Sequence, residues 1–241
     1  MTTRKVLQIS SEKKRDTMLG AFGSGADWNT SGNTIIGGDG QYHTIMWCPT
    51  ARYRHENEEQ RNRTTTFIKG FADHLTVTSP NAVVFMWRRI VFRSHVIYSE
   101  ALSQSTSNGV IYYRNMNVDQ SQAQIMIEDI LRGQAGQDWV DAGNAVVDTR
   151  QVELISDKTR YIRPEGAFGD IKTFKMYYPI NKNMTYDDEE RNGGTESSPW
   201  AAPGRTHGNV YVIDLFRSNI STQANAALNL RMQSTLYWHE K

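Results

Sequence analysis

Side chains able to do bond-making chemistry are sparse in this sequence and poorly spaced for it. The six histidines, His43, His55, His74, His95, His207 and His239, form no H-x-H or H-E-x-x-H pattern, so no imidazole pair is offered to a metal. No G-x-S-x-G elbow presents a serine nucleophile. The one cysteine, Cys48, lies between Trp47 and Pro49 in a strand-like run, where a buried, inert thiol is expected. A single cysteine also excludes an internal disulfide and a paired-cysteine zinc site. Asp73 and His74 are adjacent, but neighbours on a strand point to opposite faces. The acidic run Asp187, Asp188, Glu189 and Glu190 lacks the EF-hand spacing and is expected to be a solvated loop. Seven glycines between positions 20 and 40 contain neither phosphate-binding glycine motif. No catalytic residue, metal site or cofactor is therefore expected, and the chain is expected not to be an enzyme.

The cations are better placed, for binding rather than catalysis. Residues 1–15 hold Arg4, Lys5, Lys13, Lys14 and Arg15 against the single acid Glu12, although the whole chain carries only +1. A basic start on a near-neutral body suits a polyanion. Arg88, Arg89 and Arg93 interrupt a strongly apolar run. Two uses fit them: ion pairs with buried or interfacial carboxylates, or contacts to phosphates through the guanidinium fork.

The pattern that must position these residues is β. Residues 64–93 organise the chain. Positions 67–78 nearly alternate, with Phe67, Phe71, Leu75 and Val77 on one parity. Pro80 and Asn81 then make a turn. Positions 83–92 are apolar on both parities, with Phe85 and Trp87 on one face and Met86 and Ile90 on the other. Such a strand needs cover on both faces, one of them from a long loop or another subunit. Phe85 and Trp87 are accordingly candidate subunit contacts. Further strands are expected at 4–10, 42–48, 109–115, 209–216 and 228–238, and a hairpin over 152–162 and 171–178. One helix is expected over 120–132, capped by Asp119 and followed by Gly133. Residues 181–208 read as a long polar loop, with Trp200 expected to bury against a neighbouring copy.

Eight or nine strands, one helix and no βαβ rhythm predict an all-β, antiparallel two-sheet jelly roll with long loops. At 241 residues one large domain suffices. A basic segment with the first strand is expected over 1–20, and a single jelly-roll domain over 21–241. No apolar run is long enough to cross a membrane as a helix, and no membrane partner is expected.

Four stretches carry a family resemblance. RKVLQISSEKKRDTML at the start, TTTFIKGFADHLTVTS, the tetrad Trp87-Arg88-Arg89-Ile90, and GNVYVIDLFRSNISTQANAALNLRMQSTLYWHEK at the end resemble the capsid protein of genomoviruses, small circular single-stranded DNA viruses. The resemblance runs over nearly the whole chain. It implies a jelly roll that self-assembles into a T=1 icosahedral shell, packages circular single-stranded DNA without sequence preference, and performs no catalysis. It implies location in the virion, and in the host nucleus during assembly. Family members usually begin with a long arginine-rich arm. The resemblance places nucleic-acid contacts here on Arg4, Lys5, Lys13, Lys14 and Arg15, with Arg88 and Arg89 added from the apolar strand. Other copies of the chain are the remaining expected partner.

Overall fold

The computed structural model describes residues 11–21, 33–36, 40–55, 60–79, 82–107, 109–116, 120–166, 169–191, 194–204, 207–219 and 227–241. The strand expected over 4–10, with Arg4 and Lys5, lies outside them, as do Pro80, Asn81, Asp119 and most of the glycine-rich stretch.

Two sheets face each other. With strands numbered in chain order, the first runs β6 (Ala101–Thr106), β7 (Gly109–Met116), β1 (Glu12–Leu19), β13 (Leu228–Glu240), β4 (Thr65–Ser79) and β9 (Asp170–Thr185), and β2 (Asn33–Ile36) also pairs β13. The second runs β3 (His43–Trp47), β12 (Asn209–Ser218), β5 (Phe85–Ser94) and β8 (Glu153–Ile162). A small hairpin of β10 (Glu189–Arg191) and β11 (Gly194–Glu196) stands apart. Ladders are antiparallel except the short β1–β7 pairing. The eight central strands pair outermost with outermost: β1 with β13, β3 with β12, β4 with β9, and β5 with β8. That nesting is the jelly roll.

The expected hairpins are corrected. β4 and β5 lie in opposite sheets, and so do β8 and β9. Alternation along a strand reports which side chains are buried, not which strand is the partner. The chain crosses between sheets at both turns.

The connection from β5 to β8 is the long excursion of the fold. It first adds β7 and β6 beyond β1. It then forms α1 (Gln120–Ile130) on the outer face of the second sheet. Ala123, Met126, Ile127 and Ile130 recur at three and four, so one stripe faces the sheet. Gly133, at φ 85°, turns the chain beyond the helix in the left-handed region that glycine enters freely.

This layer resolves the two-faced strand. Phe85, Trp87 and Val91 point between the sheets. Ile90 and Phe92 point outward, under α1 and the segment 142–152. Both covers come from the chain itself. Phe85 and Trp87 are completely buried, so their expected role as subunit contacts is corrected.

A cluster of charge lies inside the sandwich. Asp73, Arg89, Arg114 and Asp214 are each at most 1% exposed. Arg89 meets Asp214 through two bonds, Nε–Oδ1 2.6 Å and Nη2–Oδ2 2.7 Å, and meets Asp73 across the sheets at 2.5 Å. Arg114 Nε lies 3.0 Å from Asp73, and its Nη2 3.6 Å from Asp214. Trp87 Nε1 donates to Asp214 at 2.7 Å, and Ser234 Oγ donates to Asp73. Two cations and two anions make the group neutral, so no net charge is buried. Burial alone would raise the Asp73 carboxyl, but Arg114 and Arg89 hold it below the ordinary value. Burial pulls Arg114 down and two carboxylates push Arg89 up, yet a guanidinium stays charged throughout.

Two outcomes are expected. Arg114→Met should cost about 3–5 kcal/mol in urea unfolding, because it leaves a buried carboxylate short of a partner. The depressed Asp73 group contributes stability that is complete above its ordinary value near 3.8 and is withdrawn as pH falls toward its folded value. The variant should therefore acid-unfold at higher pH than the parent. An unchanged acid midpoint, followed by circular dichroism, would contradict the assignment. Separately, Trp87→Asp and Ile90→Asp should both abolish soluble folded protein, since both faces of β5 are internal; a folded Ile90→Asp protein would refute the covering role of α1.

Candidate nucleic-acid interface

Strand parity divides the first sheet sharply. Its inner face carries Met18, Phe71, Leu75, Met232 and Leu236 of the core. Its outer face can be read strand by strand from the registers. β1 offers Lys13, Arg15, Thr17 and Leu19, and β13 offers Arg231, Gln233, Thr235, Tyr237 and His239. β4 offers Phe67, Lys69, Ala72, His74 and Thr76, and β9 offers Thr173, Lys175, Tyr177 and Pro179. None of these positions is acidic.

The registers set these residues in rows across the strands. Lys13 lies beside His239, then Phe67 and Asn183. Arg15 lies beside Tyr237, then Gly70 and Pro179. Gln233 lies beside His74 and Lys175. Lys13, Arg15, Lys69, Lys175 and Arg231 are all exposed. Among the described residues none of the five is paired with a carboxylate; Lys69 donates to the neutral amide oxygen of Asn181 at 2.6 Å. Five cations without a carboxylate partner among the described residues share one face of a chain whose net charge is only +1. A field this one-sided attracts polyanions.

One end of the face deepens into a groove of about 1110 Å³ bordered by Arg63, Lys69, Phe67, His239 and Lys241, with no acidic side chain among its described lining residues. Burial lowers the His239 imidazole, and Lys13 and Lys69 lower it further, which is the mark of a crowded positive site. The Phe67 and His239 rings lie 5.9 Å apart. Nearer the middle, Gly70 has no side chain, and the Tyr177 hydroxyl comes within 2.8 Å of where its Cβ would be. A Cβ there would also meet the Tyr178 carbonyl oxygen at 2.4 Å, and φ is +152° at this bulge. Burial, and then the neighbouring Tyr237, push the Tyr177 hydroxyl up.

Not every expected cation joins this face. Lys13 and Arg15 do. Lys14 points to the other side of β1, is 7% exposed, and meets Glu240 at 3.0 Å. Arg88 is 4% exposed, forks onto Asp157 and donates to the Ala142 carbonyl. Arg89 belongs to the buried cluster. The phosphate role expected for Lys14, Arg88 and Arg89 is corrected, because protein carboxylates occupy their nitrogens. Arg93 pairs with Glu153. Asp188 of the supposedly solvated acidic run forks onto buried Arg61 at 2.8 and 2.9 Å, under the Tyr186 ring. Trp200 is partly buried beside Tyr211, ring centroids 6.5 Å apart. Sequence reading missed Lys69, Lys175, Arg231 and both tyrosines. They lie on three strands far apart in sequence, and only the register unites them.

Among the described residues no three of His, Cys, Asp and Glu are placed to hold a metal ion. No helix among the described residues is long and apolar enough to cross a membrane. Burial pushes the Cys48 thiol up to about 11, which suppresses the nucleophilic thiolate.

No family model matches the sequence, and no curated protein matches it significantly. Among solved structures, the chain is similar to the human polyomavirus 7 VP1 pentamer (TM-score 0.21, 10% identity, covering 100% of this chain and 97% of that one). It is similar also to the human polyomavirus 6 VP1 pentamer (0.21, 9%, 96% and 95%). The Penaeus stylirostris densovirus capsid gives 0.17 and 9% identity over 95% and 84%. At such scores the likeness carries no functional argument.

Lys14 and its neighbours should therefore behave oppositely on substitution. Lys14→Ala strands Glu240 and should cost about 3–5 kcal/mol in thermal or urea unfolding. Lys13→Ala with Arg15→Ala should leave unfolding within about 0.5 kcal/mol, as surface changes do, but elute earlier from a heparin column. Equal elution of that double variant and the parent would show that the face does not bind polyanions.

Proposed function

We propose that this chain is a viral capsid protein. Its copies assemble into a small T=1 icosahedral shell and enclose circular single-stranded DNA without reading its sequence. The observation that carries the proposal is the acid-free cationic face of a jelly-roll sheet. Lysine and arginine contacts to phosphate supply affinity but no base information, which suits a protein that must coat a whole genome. The genomovirus resemblance points the same way: its stretches fall on β1, β4, β5, β12 and β13, the strands that make the roll and much of that face.

On this proposal the cationic face lines the particle interior. Neighbouring copies meet through contacts in which one patch touches a different one, as closed shells require. Trp200, part-buried and part-open, is a candidate for such a contact. The protein then resides in the virion, and assembly belongs to the host nucleus.

The test is assembly of the full chain with circular single-stranded DNA, followed by sedimentation and negative-stain microscopy. Closed particles of one size that protect the DNA from nuclease are expected. Replacing Lys13, Arg15 and Lys175 by alanine should lower the slope of log affinity against log salt by roughly two, at about 0.7 per lost contact on single strands. A monomer at every salt concentration with no nuclease protection would overturn the proposal in favour of a monomeric, lectin-like binding module.

A further inference from the structure

The cationic face explains attraction to phosphate but not a choice between single and double strands, since both are polyanions. The aromatic residues bear on that choice. Tyr177 sits on the edge strand β9 opposite Ala72. Its side chain does not stand off the sheet. The hydroxyl reaches diagonally to Gly70, 2.8 Å from the absent Cβ, and lies 3.5 Å from the Lys69 carbonyl oxygen. The phenol is therefore laid down over a floor of glycine and alanine. It remains 50% exposed, so its upper side is open. Tyr237 borders the same glycine from β13. Lys175 lies two residues away on the same face, and Lys69 adjoins Gly70.

A ring laid on a sheet, open above and flanked by cations that no described carboxylate neutralises, is the arrangement that holds an unstacked nucleobase between backbone contacts. We infer that Tyr177, lying over Gly70, is a base-stacking platform that gives this face its preference for single-stranded nucleic acid. The inference rests on the nucleic-acid reading above and deepens it. Bases in a duplex are already stacked on one another, so a duplex meets the face through phosphates alone. A single strand turns its bases outward and gains the ring as well. Gly70 is the residue that permits this, because any Cβ there would meet both the Tyr178 carbonyl and the ring.

The experiment compares binding of three probes of equal length by fluorescence anisotropy at one salt concentration: oligo(dT), a duplex, and an oligomer of abasic sites. The parent protein should favour oligo(dT) over the abasic oligomer. Tyr177→Ala should weaken oligo(dT) binding about tenfold, the value of one stacked base, and change abasic binding less than about twofold. Tyr177→Phe should bind like the parent. Tyr177→Leu, which keeps the cover over Gly70 but has no π-face, should behave like the alanine variant. Equal losses on oligo(dT) and abasic probes, or a leucine variant that binds like the parent, would overturn the platform and leave the phosphate-binding face standing. A parent protein that binds none of the probes would overturn both.

Discussion

The two sheets are joined at their centre by charge. Between β4 and β7 on one side and β5 and β12 on the other, Asp73, Arg89, Arg114 and Asp214 form a neutral group sealed by tryptophans. Arg114 lies 4.4 Å from the Trp47 ring and Arg89 4.9 Å from the Trp87 ring. Apolar contacts would let one sheet slide on another at small cost. The Arg89–Asp214 fork fixes β5 against β12 within one sheet, and the bond from Arg89 to Asp73 carries that position across to the other. Everything on the outer surfaces is referred to this pin. The rows of the cationic face depend on β4 and β13 holding their registers, and both strands put a residue of the cluster, Asp73 or Ser234, into the core.

The same economy of placement recurs at the periphery. The connector 51–63 is nearly devoid of apolar residues, yet it is anchored. Arg52 and Arg61, each 2% exposed, lie over the Tyr112 and Tyr186 rings at 4.1 and 3.8 Å. Arg52 meets Asp16, and Arg61 meets Asp188. These charges are paired off, whereas the described outer-face positions of β1, β4, β9 and β13 carry cations and no acid. The separation of paired from unpaired charge, more than the net charge, gives this surface its positive field.

Much of the fold was legible because burial on one face leaves a period of two. The alternation through Leu228, Leu230 and Met232, and the three-and-four spacing through Met126 and Ile130, gave element types and approximate bounds. Partners were not legible. The turn after β4 has the residues of a hairpin but crosses the sandwich, because loop chemistry fixes a reversal and not the sheet in which the chain resumes. Arginine was the other blind spot. Arg88 in an apolar run and Arg61 in a charged one are both buried, and their carboxylates lie 69 and 127 residues away. The candidate site was legible only at Lys13 and Arg15. Lys69, Lys175, His74 and Arg231 are ordinary surface residues until cross-strand register assembles them.

The nesting of the strands also sets an order of events at the ribosome. β1 is laid between β7 and β13, and its long ladder is with β13, the last strand of the roll. β1 therefore has no main partner until β13 has emerged. β4 likewise waits for β9 and β13. Contacts this distant in sequence make closure slow and late. The cationic face is shared among β1, β4, β9 and β13, so it cannot exist on a nascent chain. On the proposed function, a half-made protein carries scattered lysines but not the assembled cationic face, so capture of nucleic acid would wait until β13 has joined β1 and β4.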